Sequence, residues 1–112
     1  MRAINTGATA ANLALQMAHA RLAAMSGLEA ARHRALHAGV CADWNSPGPG
    51  VLTGFTVSVR CRTHSALEAG HPVTLYDIAT HACNEPAAGA CPNPSPLRAD
   101  YAAARAQLRL EP

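Results

Sequence analysis

Residues 6–38 carry an uninterrupted helical pattern. Leu13, Met17, Ala20, Ala24, Leu28, Ala31 and Ala35 recur three and four positions apart, which aligns them in one stripe. The segment has no Pro and is filled with Ala, Leu, Met, Arg and Gln, all strong helix formers. Thr6 or Thr9 could open the helix. Gly39 could close it, with His33, Arg34 and His37 complementing its C-terminal dipole. Such a helix would be roughly 45 Å long at about 1.5 Å per residue, more than a small domain needs. Its stripe is built of small side chains, so a neighbour can approach the backbone closely. Gly27, in the middle, fits either close packing or a neutral position costing about 1 kcal/mol against Ala.

The pattern changes after the helix. Asn45 to Gly50 reads as a loop with several turn signals. From Gly54 to Arg62 the period becomes two: Phe55, Val57, Val59 and Cys61 face one way, Thr56, Ser58, Arg60 and Arg62 the other. This predicts a half-buried strand, followed by a polar connection over 63–72. Val73 to Cys83 predicts a second strand with imperfect alternation. Val73 and Leu75 oppose Tyr76 and Ile78, which either a bulge or burial on both faces would accommodate. Residues 84–98, with four prolines, form a loop. In Tyr101 to Leu110 composition says helix and pattern says strand: Ala102, Ala104, Ala106, Leu108 and Leu110 alternate with Tyr101, Arg105, Gln107 and Arg109. The layout is α+β: one long helix whose C-terminal half is covered by a small antiparallel sheet. The N-terminal half would project with its stripe uncovered, as a helix that packs into an assembly would.

Composition bounds the chemistry. The 112 residues make one domain with a net charge of +2, and all nine basic side chains besides His are Arg. No basic cluster points to nucleic acid, and no run of about 18 apolar residues points to a membrane helix. No intact secretory signal is visible. One Phe, two Tyr and one Trp make a thin core. Four Cys, at 41, 61, 83 and 91, would reinforce it as two disulfides in an oxidising compartment, each worth about 2–4 kcal/mol.

The chain resembles the pilin-like biogenesis proteins of the mannose-sensitive haemagglutinin (MSHA) type IV pilus, the MshP family. The resemblance rests on Ala20 to Glu29 in the helix, Cys41 just after it, Gly54 to Cys61, Leu75 to Ala79, Ala82-Cys83 and a terminal segment from Tyr101. It covers most of the chain from about Arg2. It implies a single pilin-like domain over 1–112, with the helix over 6–38 and a disulfide-stapled sheet with loops over 40–112. It also implies that 101–110 is a strand. The implied role is structural: a minor pilin that helps assemble the pilus, with no catalysis and no cofactor. The implied partners are other pilin subunits and, through an N-terminal segment this sequence lacks, the inner membrane. Met1 would lie near the membrane exit. The implied location is the periplasmic face of that membrane, then the extracellular filament.

Within that reading Leu13, Met17, Ala20, Ala24 and Leu28 form the assembly interface, packing against other subunits and against the chain's own sheet. The chain by itself would dimerise through them, and a charge at Ala20 or Ala24 would leave a monomer. Trp44 is either a lid on the core or a contact for another subunit. Of three disulfide connectivities, Cys41–Cys61 with Cys83–Cys91 is favoured, because it staples helix to sheet and closes a short loop. The chief rival joins Cys61 to Cys83. The sequence also offers weaker signals. His81, Cys83, Cys91 and Glu85 suggest a zinc site, but without His-x-Glu or Cys-x-x-Cys spacing. His33 and His37 share a helix face, which reads as solvated. His64-Ser65 with Glu68 has no nucleophile elbow. A second class of function stays open: a small secreted binding module in which the Pro-rich loops and Trp44 hold a ligand.

Overall fold

The structure, a computed structural model, describes the backbone of residues 2–111 and the side chains of residues 12–111. Its first element is the helix α1, Arg2–Ala38, which starts ahead of both Thr6 and Thr9. Four antiparallel strands follow in chain order β1-β2-β3-β4: β1 is Trp44–Pro47, β2 Thr56–Glu68, β3 His71–Cys83 and β4 Ala103–Leu110. The architecture is α+β, with one helix on one face of the sheet.

Gly39 ends α1 with a φ of +64°, a conformation open to a residue without Cβ, and the Val40 N–H bonds back to the Arg34 carbonyl. α1 lies chiefly over β3 and β4 and also touches β2. Ala20, Ala23, Ala24, Leu28, Ala31 and Ala35 are buried there against Val57, Val59, Cys61, Ile78 and Ala82. Alanines let the two layers come close. Gly27 shows how close: a Cβ there would overlap Val57 Cγ1 and sit 3.5 Å from Thr80 Cγ2. The glycine therefore marks close packing. Thr80, fully buried, donates its hydroxyl to the Ala24 carbonyl at 2.7 Å and so satisfies the one polar group the sheet sends into that contact.

The strands depart from the sequence pattern in two places. The expected loop opens with a strand instead: β1 pairs with β2 through Trp44↔Val59 and Ser46↔Val57. The expected connection over 63–72 is instead the far half of a long hairpin, β2 and β3 being 13 residues each. Its two-residue turn, Ala69-Gly70, has positive φ at both positions. The pattern failed there because the hairpin runs past α1. Thr63, Ser65 and Thr74 sit on the helix side but meet solvent, so no apolar alternation is required of them. The β2–β3 register runs unbroken from Thr56↔Cys83 to Glu68↔His71, so β3 has no bulge. Tyr76, Ile78, Thr80 and Ala82 face α1, while Val73 and Leu75 lie half-buried on the outer face. In the terminal segment the period prevails over composition: 103–110 is strand, paired with β3 from Cys83↔Ala103 to Tyr76↔Leu110.

Candidate functional site

Two disulfides frame the sheet. Cys41–Cys61 ties the exit of α1 to the middle of β2 with Cα atoms 5.2 Å apart, and Cys83–Cys91 closes the loop after β3 with Cα atoms 5.7 Å apart. This is the favoured connectivity, and the Cys61–Cys83 rival is set aside. Cys61 and Cys83 stand far apart along the hairpin, the first opposite Ile78 and the second opposite Thr56. The same bonds remove the thiolates a zinc site at His81, Cys83 and Cys91 would use. Among the described residues no three His, Cys, Asp or Glu side chains converge. His33 and His37 stack with ring centroids 4.4 Å apart on an exposed face. His64 and Ser65 are consecutive on β2, so they project to opposite faces and cannot act as a pair.

The loop from 84 to 100 is held by its own polar side chains. The Glu85 carboxylate accepts from Leu97 N at 2.6 Å, Arg98 N at 3.0 Å and Asn93 Nδ2 at 3.1 Å. Asn84 bridges the loop's ends, donating to the Asp100 carbonyl and accepting from Ala102 N, both at 2.9 Å. The loop folds back on the outer sheet face. Buried Ser58 accepts from Cys91 N at 2.8 Å and donates to Asn45 Oδ1 at 2.6 Å.

The expected interface on α1 divides in two. Ala20, Ala24 and Leu28 are buried in the chain's own core, so they are not free for another subunit, which corrects that part of the expectation. A charge at Ala20 or Ala24 would thus break the fold before it tested a dimer. Leu13 is exposed and Met17 half-buried at the edge of the core. Sequence reading missed a second feature. Leu15, Leu22, Met25 and Leu36 are all exposed, on the side of α1 turned away from the sheet. The seven-residue spacing of Leu15, Leu22 and Leu36 (with Glu29 between) was the available signal, hidden by the stronger inner stripe. No helix among the described residues is long and apolar enough to cross a membrane.

Trp44 projects from β1 toward the helix and packs on the core's margin, with the Arg34 guanidinium 4.2 Å from its ring centroid. Beside it an open cleft of about 200 Å³ runs between α1 and β1, lined by Ser26, Gly27, Ala30, Trp44, Pro47 and Pro49.

The outer face of the sheet is basic. Arg60, Arg62, Arg105 and Arg109 share it with His64, His81 and Asp77. Asp77 accepts from Arg109 Nε at 2.6 Å and Nη2 at 3.1 Å and also meets His64, and the Arg109 bonds hold its carboxyl below the usual range. Asp43 is lowered too, first by the Cys61 N–H bond at 3.0 Å and then by Arg62 at 2.9 Å. His81 is lowered by desolvation first, then by Arg105 and Arg60.

Together these features define a disulfide-stapled helix-on-sheet domain with a helix longer than its sheet and a basic outer face. No family model, curated protein or solved structure matches the chain.

Proposed function

We propose that this chain is a minor pilin-like subunit with a structural role in assembling a type IV pilus of the MSHA kind. One observation carries the reading. Among the residues whose side chains are described, full burial of α1 against its own sheet begins at Ala20, with Met17 half-buried at the edge of the core, while the helix itself begins at Arg2. A helix that outruns its sheet in this way leaves Leu13 and the outward Leu15, Leu22 and Met25 exposed, uncovered by any of the described residues. Neighbouring pilin helices would supply one. The two disulfides suit a domain that folds in an oxidising space, on the periplasmic face of the inner membrane and later in the filament. A hydrophobic segment ahead of Arg2 would anchor the subunit before assembly.

The test is genetic and visual. Removing the gene should abolish or shorten surface pili seen by electron microscopy. Wild-type protein should restore them, and a Leu15→Asp, Leu22→Asp variant should not. Unchanged piliation in the deletion would overturn the reading.

A second reading, a secreted disulfide-bonded binding module with no filament role, has one observation in its favour: the cleft beside Trp44, Pro47 and Pro49. Normal pili, together with a ligand whose binding is lost in Trp44→Ala, would favour it.

A further inference from the structure

One edge of the sheet is free along the whole of its last strand. β4 is the last strand in the order, and among the described residues the backbone of 103–110 bonds to no segment except β3. It spans eight residues, Ala103–Leu110, without Pro and in unbroken register with β3. Alternate N–H and C=O groups along its outer edge therefore lack a protein partner. Natural sheets cover or interrupt such an edge unless something pairs with it. On the opposite edge β1 is only four residues, ends in Pro47 and covers 56–59 of β2; among the described residues the rest of β2, 60–68, is unpaired on that side but carries Arg60 and Arg62 beside Asp43, whose carboxylate takes the Cys61 N–H.

The side chains of β4 say what would pair. On the helix side Ala104, Ala106, Leu108 and Leu110 are only half-buried, although each lies in line with the core. An added strand would cover them with apolar side chains against the flank of α1. On the outer side stand Arg105, Gln107 and Arg109, all exposed. Arg109 is paired with Asp77. Among the described residues Arg105 has no carboxylate partner; its cross-strand neighbour is His81, held toward its neutral form, and Arg60 is the next cation on that face.

This charge argues against a second copy of the chain. An antiparallel β4–β4 pair that keeps its apolar side toward the helix sets Arg105 opposite or diagonal to Arg109 or Arg105 of the other copy. Like charges in those positions are destabilising. We propose that the β4 edge accepts an extended segment of a partner protein as a fifth strand, one with apolar side chains on the helix side and acidic ones opposite Arg105. Main-chain bonds would supply affinity, and Arg105 would supply selectivity. The proposal goes beyond the pilus reading and does not depend on it.

The test uses the oxidised chain and an end-capped synthetic peptide alternating valine and glutamate, with a valine–lysine peptide as counterpart. Amide hydrogen exchange by NMR and binding by titration are read at low salt. The glutamate peptide should slow exchange at alternate amides of 103–110, and the lysine peptide should not. Arg105→Glu should weaken glutamate-peptide binding roughly five- to tenfold and Arg105→Gln by less, as cross-strand charge pairs imply. Unchanged melting of the Gln variant keeps the comparison free of folding effects. Equal binding of the two peptides would overturn the proposal. So would indifference to Arg105, or slowed exchange on the outer sheet face without the β4 amides. Concentration-dependent protection of β4 in the protein alone would make a second copy the occupant and also overturn it.

Discussion

Gly27 is fixed by its neighbours and not by its own preferences. Gly27→Ala should gain about 1 kcal/mol of helix propensity. It should lose about 1–3 kcal/mol to overlap with Val57. The expected net effect is a lower midpoint in urea unfolding, and a raised midpoint would mean that the layers can separate freely. Ala69 is the converse case. It holds a φ of +52° in the hairpin turn, where Asn or Gly is at ease. Ala69→Asn should stabilise by about 1 kcal/mol, measurable in the same titration. His81 couples stability to pH. Its folded value lies below the ordinary 6.5, so the unfolded chain binds the proton more readily. The stability it contributes is complete above 6.5 and declines as pH falls through that window. Melting temperatures should drop as pH falls below 6.5, and less in His81→Gln. Asp43 and Asp77 act separately, because their lowered values confine the loss to pH below 3.8.

At the scale of elements, legibility followed burial. Phe55, Val57, Val59 and Cys61 are buried between α1 and the other strands, and their alternation marked β2 plainly. Ala20 to Ala35 marked α1 for the same reason. Where the hairpin leaves the helix, nothing selects apolar residues on one side, and Leu67 at the tip is 76% exposed. The far half of β2 was therefore invisible. β1 was hidden by its own turn-forming residues, Asn45, Ser46 and Pro47. It is a strand only because β2 offers its edge. For the candidate site the pairing of the four cysteines was legible, while the partition of the helix stripe was not. Periodicity tells which residues share a face, not where the sheet stops covering it. That partition can be measured: Ala24→Asp should prevent folding, as an unpaired buried charge does, whereas Leu13→Asp should stay within about 0.5 kcal/mol of wild type in thermal melts.

The molecule measures 67 × 26 × 26 Å, of which the 37-residue α1 spans about 55 Å at about 1.5 Å per residue. Its sheet core is small and alanine-rich, so the cross-links carry a large share of its stability. The closed loops separate the cysteines by 20 and 8 positions. Chain entropy assigns them about 3.3 and 2.5 kcal/mol, in a domain whose total is about 5–15. Removing Cys41–Cys61 as a Cys→Ser pair should therefore lower the unfolding free energy by about 3 kcal/mol. Removing both bonds should leave a chain without a cooperative melt. The Cys41–Cys61 bond also has a mechanical consequence. Tension applied along α1 reaches its C-terminal end and passes straight through the sulfurs into the middle of β2, bypassing β1, the cleft beside Trp44 and the first half of β2. The 20-position segment between the cysteines carries none of that load and cannot be drawn out while the bond stands. Reduction would release about 70 Å of slack at about 3.4 Å per residue. Oxidised, the domain is a short, nearly inextensible link between the helix and whatever its sheet grips.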